Sequence, residues 1–117
     1  MRPEFSGEMT SCHRCLHRIL SELGFQIIDN YKINGTNYAV DCKIEELEIA
    51  AEADGKFFHT FKKRDAKRDA IIKEKTGISI IRIPEKLLDR KHDLEVKEII
   101  LRNIDNANNN CTLTDKR

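Results

Sequence analysis

The segment from Tyr38 to Gly55, YAVDCKIEELEIAAEADG, places the strongest constraint on the fold. It reads as two β-strands joined by a tight turn at Glu45-Glu46. Side chains at i and i+2 on a strand share a face, so Glu52 and Asp54 point one way while Ala51 and Ala53 point the other. Pairing of the two strands brings Asp41 beside Glu52. Carboxylates converging on a sheet repel one another unless a cation lies between them. A hard divalent ion such as Mg²⁺ is the simplest cation, because it prefers carboxylate oxygens. The segment therefore predicts a small α/β sheet carrying a metal-dependent site.

The rest of the chain organises around that sheet. Thr10 or Ser11 is a plausible N-cap, with Leu16, Ile19, Leu20 and Leu23 following at helical period and Gly24 standing where a helix ends. Phe25 to Ile33 reads as a first strand, and Asn34-Gly35-Thr36-Asn37 as a hairpin turn in which Asn-Gly supplies positive φ angles. Tyr38 to Lys43 and Leu47 to Asp54 are the next strands. A charged helix runs from about Lys62 to Thr76, with Ala66, Ala70, Ile71 and Ile72 expected on its inner face. Ile78 to Ile83 is a β-branched fourth strand closed by Pro84. Glu95 to Ile104 is a last helix. The order α-β-β-β-α-β plus a C-terminal helix predicts an antiparallel meander of three strands. A right-handed helical crossover then adds the fourth strand in parallel. The expected fold class is α/β, a mixed four-stranded sheet with helices on both faces. A single domain is expected over residues 8–105, with a disordered polar tail over 106–117.

Composition excludes several classes. The chain has 117 residues, of which 35% are charged, yet its formal net charge is only +1. That balance argues against a strongly basic non-specific nucleic-acid binder and against an acidic disordered chain. No apolar run approaches the roughly 20 residues that span a bilayer, and MRPEFSGEMTSCHR has no apolar signal segment. An intracellular, cytoplasmic protein without membrane contact is expected. Cys12-x-x-Cys15, with His13 and His17 close by, offers zinc ligands, but a convincing site needs a second ligand pair. Cys42 in a strand and Cys111 in the polar tail supply no evident one, so packing is the preferred reading of Cys12 and Cys15.

Beyond these patterns, the ordered set VD at Asp41, AEADG at Glu52 to Gly55, His59, RDAKRDA and ISIIRIP resembles the PD-(D/E)XK nuclease superfamily. The branch it is most similar to is the very-short-patch repair endonucleases with their small relatives. There a strand ending in EVDG is followed by a His, a helix with RD-x-x-RD and a last strand like WRVLRF. The resemblance covers roughly residues 12–90, and it implies a restriction-endonuclease-like fold. It also implies Asp41 as the central ligand of Mg²⁺ or Mn²⁺, and Glu52 as a second ligand or the group orienting the attacking water. His59 becomes a general acid or base, with Asp65 or Asp69 orienting it. The superfamily's Lys is replaced by Asp54, and Lys56 offers a substitute cation. The carboxylate that relatives carry on the first helix falls near His13.

The function this resemblance implies is a metal-dependent endonuclease or nickase hydrolysing nucleic-acid phosphodiesters, with DNA the expected substrate. Lys62, Lys63, Arg64, Lys67 and Arg68 follow the site directly and could meet phosphates. The plainer reading of that run is a solvated helix face with i,i+4 ion pairs. The alternative function is a nucleic-acid-binding module that keeps the fold without the chemistry, as the apicomplexan-abundant RNA-binding domain resembles. A third is a protein-interaction domain. A chain this small has no separate recognition domain, so a homodimer or larger partner is expected to supply specificity.

Overall fold

The computed structural model describes the backbone of residues 9–55 and 59–115, and the side chains of all of these except 59–63, 65 and 108–115. Helix α1 spans Ser11–Glu22 and is followed by strands β1 (Ile27–Lys32), β2 (Ala39–Ile44) and β3 (Ile49–Asp54). Helix α2 (His59–Thr76) crosses over to β4 (Ser79–Pro84). Two 3₁₀ turns then lead into α3 (Asp93–Asp115). The four strands lie in the order β1-β2-β3-β4. The first three are antiparallel, and β4 pairs parallel to β3, as the crossover requires.

Local chemistry sets the helix ends. The Thr10 hydroxyl accepts a bond from the His13 amide and caps α1. Gly24, at φ +98°, and Gly77, at φ +83°, follow α1 and α2 in the left-handed conformation that only glycine adopts cheaply. In the β1–β2 loop Gly35 has φ +82°, whereas Asn34 does not share it. The turn expected over residues 34–37 is present, closed by the Ile33 amide donating to the Tyr38 carbonyl, with only the positive φ at Asn34 missing.

The sheet has two apolar faces. On one, α1 and α3 bury Leu16, Ile19, Leu20, Val96 and Ile100 against Cys42, Ile44, Ala51, Ile81 and Ile83. Cys12 and Cys15 pack against the same core, in keeping with the packing reading, and form no disulfide. On the other face Ile72 of α2 covers Ile33, Val40, Ala50 and Ile78. Full burial of each branched side chain contributes about 1.5–3 kcal/mol, which makes these two cores the main stabilising term. Arg18 on α1 donates from Nη1 and Nη2 to both oxygens of Asp93, each at 3.0 Å, and ties α1 to the start of α3. Arg18 in turn holds the Asp93 carboxyl below its ordinary range.

Three details depart from the expected pattern. Helix α2 turns Arg68, Asp69, Ile72 and Thr76 inward, while Ala66, Ala70 and Ile71 are exposed. The polar stripe wins because its charges meet charges on the sheet beneath. Helix α3 continues past Ile104, since Ile104 and Ala107 keep the helical period of Val96 and Ile100 against the core. Finally, strand alternation breaks at one point. Val40 packs on the α2 side and Cys42 on the α1 side, although i and i+2 ordinarily share a face. Their cross-strand partners Tyr31 and Asp29 flank Asn30, which at φ +50° has positive φ. Asn tolerates that conformation better than other non-glycine residues. Among the described residues no helix is long and apolar enough to cross a membrane.

Candidate active site

The switch of face coincides with a divergence of strands. The β2–β3 ladder runs Ile44–Ile49, Lys43–Ala50 and Cys42–Ala51, and the next pair, Asp41 with Glu52, is absent from it. There the Asp41 side chain takes over from the backbone: Oδ2 accepts a 2.9 Å bond from the Ala53 amide. Asp41 is thus fixed by one oxygen at the point where the strands part, beside Glu52. The alternation predicted for β3 also holds, with Ala51 and Ala53 on the α1 side and Ala50 on the α2 side. Glu52 and Asp54 share the face beneath α2.

That face carries a dense ion network. The parallel β3–β4 register sets Glu52 next to Arg82. Arg82 Nη2 lies 3.3 Å from Glu52 Oε1 and its Nη1 lies 3.9 Å from Asp54 Oδ1. From above, α2 adds Asp69, whose carboxylate receives two 2.9 Å bonds from Arg82. It also adds Arg68, which donates to Glu52 Oε1 at 2.8 Å. The Arg68 guanidinium stands 5.4 Å from the centroid of the Tyr38 ring, a cation–π distance. Its Nε is buried without a hydrogen-bond partner. Burial pushes the Glu52 carboxyl above its ordinary value and the nearby Asp41 charge adds to this, while Arg68 and Arg82 oppose it. Glu52 is a carboxylate held in a partly desolvated setting by two guanidinium groups.

The sequence-predicted residues distribute as follows. Asp41, Glu52 and Asp54 gather at the strand divergence, joined by Asp69. Arg68, expected to face phosphates, turns inward onto Glu52, whereas Arg64 and Lys67 are exposed on α2. Lys56, and the side chains of His59, Lys62, Lys63 and Asp65, lie outside the described residues. His13 bonds Asp29 of β1, with Nε2 to Oδ1 at 2.9 Å. Arg82 was missed. Its signal was a lone charge inside the β-branched run ISIIRIP, which parallel pairing sets beside Glu52. Among the described residues, the set of at least three His, Cys, Asp or Glu donors converging within 4.8 Å is His13, Asp29 and Cys42. Asp41, Glu52 and Asp54 form no such set, so at most a pair of them can share an ion in this geometry. An all-oxygen pair fits a hard ion that keeps several waters. For Glu52 to bind one, Arg68 or Arg82 must give up part of its contact.

No protein-family model and no curated protein matches the chain in sequence. Among solved structures, the fold is similar to that of the homing endonuclease I-Bth0305I catalytic domain. The superposition has a TM-score of 0.59 at 16% identity and covers 80% of this chain and 96% of that domain. The likeness supports a nuclease-like α/β fold, with a mixed four-stranded sheet between helices.

Proposed function

We propose that the chain is a metal-dependent endonuclease or nickase of the PD-(D/E)XK type, related to the very-short-patch repair branch and acting on DNA. The observation that carries this reading is the placement of Asp41 and Glu52 at the divergence of β2 and β3, on a fold shared with an endonuclease catalytic domain. Asp41 and Glu52 would hold Mg²⁺ or Mn²⁺, whose contribution is to polarise a phosphodiester oxygen and acidify a bound water. Asp41 is suited to this because one oxygen is anchored on Ala53 and its orientation is set in advance. Arg82 spans Glu52, Asp54 and Asp69, and keeps three carboxylates together at neutral pH. His59, at the start of α2, is the proposed proton carrier, with Asp65 or Asp69 as its orienting partner. Exposed Arg64 and Lys67, with Lys62 and Lys63, are the proposed phosphate contacts. The reading includes a single domain over residues 8–105, an intracellular location, and a second copy or larger partner for specificity.

A second reading has its own observation. Arg68 and Arg82 already neutralise Glu52, which is what a binding module without metal chemistry requires. The two readings part on cleavage. Purified protein with Mg²⁺ or Mn²⁺ should nick or cut DNA, and EDTA, Asp41→Asn or Glu52→Gln should abolish most of the activity while the fold is kept. DNA binding without cleavage of duplex, mismatched, branched or single-stranded substrates selects the binding module.

A further inference from the structure

The converging donor set lies apart from the Arg82 network, between α1 and the β1–β2 hairpin. His13 and His17 are four residues apart on α1, so one helical turn sets them on the same face. Asp29 and Cys42 are Cα partners across the antiparallel ladder, which sets their side chains next to each other. The four come together where α1 crosses this pair. His13 Nε2 stands 2.9 Å from Asp29 Oδ1, and Cys42 Sγ 3.7 Å from the same oxygen. His17 Nδ1 lies 2.9 Å from both oxygens of the Asp29 carboxylate.

These separations are close to those a transition-metal ion imposes. With bonds of about 2.0–2.3 Å, neighbouring donors in a tetrahedral shell lie roughly 3.2–3.8 Å apart. Opening the His13–Asp29 contact by a few tenths of an ångström would admit an ion. The surroundings also favour one. His13 is 4% exposed and Cys42 fully buried, in a core that includes Leu16, Ile19 and Leu20. A carboxylate, an imidazole and a thiol are costly to gather in such a place without a cation.

We propose that His13, Asp29 and Cys42 form a binding site for a borderline transition-metal ion, Zn²⁺ in type, with His17 fastening the Asp29 carboxylate. One nitrogen, one oxygen and one sulfur donor suit Zn²⁺ or Co²⁺, whereas Mg²⁺ accepts oxygen donors almost alone. The site is a staple: it ties α1 to the paired strands β1 and β2, and water completes the shell. The thiols of Cys12 and Cys15 take no part in it. This site does not depend on the nuclease reading.

The test uses the full chain, stripped with a chelator and titrated with Co²⁺ and then Zn²⁺. Wild type should develop a thiolate-to-cobalt charge-transfer band that Zn²⁺ removes, and Zn²⁺ should raise the melting temperature. Cys42→Ser should lose the band, and Cys42→Ser and Asp29→Asn should each bind at least about tenfold more weakly. His17→Ala should keep the band and weaken binding about 10–100-fold, the usual effect of removing a group that orients a ligand. A Cys12→Ser/Cys15→Ser double variant should match wild type. Asp41→Asn should keep the band, which separates this ion from one at the candidate active site. Circular dichroism checks each fold, and His13→Gln serves in place of Cys42→Ser if the latter is unfolded. Absence of the band in wild type, unchanged affinity on losing Cys42 or His13, or loss of the band in the Cys12/Cys15 variant would each overturn the site.

Discussion

Replacing Arg82 by Met tests whether the charge network under α2 is held together by one guanidinium. Met keeps most of the apolar stem and removes the fork, so packing is largely conserved. The loss can be worked from the contacts. Arg82 makes two 2.9 Å bonds to Asp69 and a 3.3 Å approach to Glu52. Breaking a fully buried pair costs about 3–5 kcal/mol. Here the side chains retain 18% and 24% of their exposure, so solvent screens the carboxylates left behind and the expected loss is about 2–3 kcal/mol. For a domain of this size that lowers Tm by roughly 8–12 °C. The pH dependence gives a second reading. Arg82 is one of the two groups opposing the rise of Glu52, so its removal raises that carboxyl further and the folded variant takes up protons more readily. The deficit relative to wild type should therefore shrink between pH 7 and pH 4. Urea unfolding of both proteins at several pH values measures each quantity. A loss below about 0.5 kcal/mol at pH 7, or one that does not change on acidification, refutes the hub role. Arg82→Lys, which keeps the charge without the fork, should fall between the two proteins.

Ile100→Ala removes a fully buried side chain shared by α3, α1 and the sheet and should cost about 2–5 kcal/mol in calorimetry. Asn30→Gly should be close to neutral, whereas Asn30→Ala should cost about 1 kcal/mol, because Ala lacks the short polar side chain that lets Asn tolerate φ +50°; equal stability of the two variants excludes strain at this position. The lowered Asp93 carboxyl, paired with Arg18, contributes stability that is present above its ordinary value of 3.8 and is lost as pH falls below it. Asp93→Asn should accordingly flatten the acid limb of the stability curve, while the raised Glu52 acts with opposite sign, its contribution fading as pH rises past the ordinary value of 4.5.

Much of the fold could be read from local patterns. Thr10, Gly24 and Gly77 mark helix ends by their own chemistry, and the length of the α2 crossover dictates that β4 runs parallel to β3. Glu52 and Asp54 could be placed on one face because a strand has a period of two, whereas that rule fails around Asp41, where β2 and β3 part. What escaped depended on pairing register. Arg82 becomes a partner of Glu52 only when Glu52 and Arg82 align across a parallel ladder. Asp29 and Cys42 become neighbours only through the β1–β2 register, so the helix histidines seemed to lack a second ligand pair. The inner face of α2 was misjudged because hydrophobic period favoured Ala66, Ala70 and Ile71. The sheet below presents Glu52 and Arg82, and it draws Arg68 and Asp69 inward instead.

The bond from the Ala53 amide to Asp41 has an experimental use. It is a backbone N–H whose acceptor is a side-chain carboxylate at the proposed ligand position. Its ¹⁵N shift and its exchange with solvent deuterium should therefore follow the electron density on that carboxylate. Protonating Asp41, or drawing its charge onto a cation, weakens the acceptor and should leave Ala53 less protected. The Ala50 amide, within the intact part of the ladder, should not respond. Occupancy at the divergence of β2 and β3 becomes visible at one main-chain position, without a substrate or a cleavage assay.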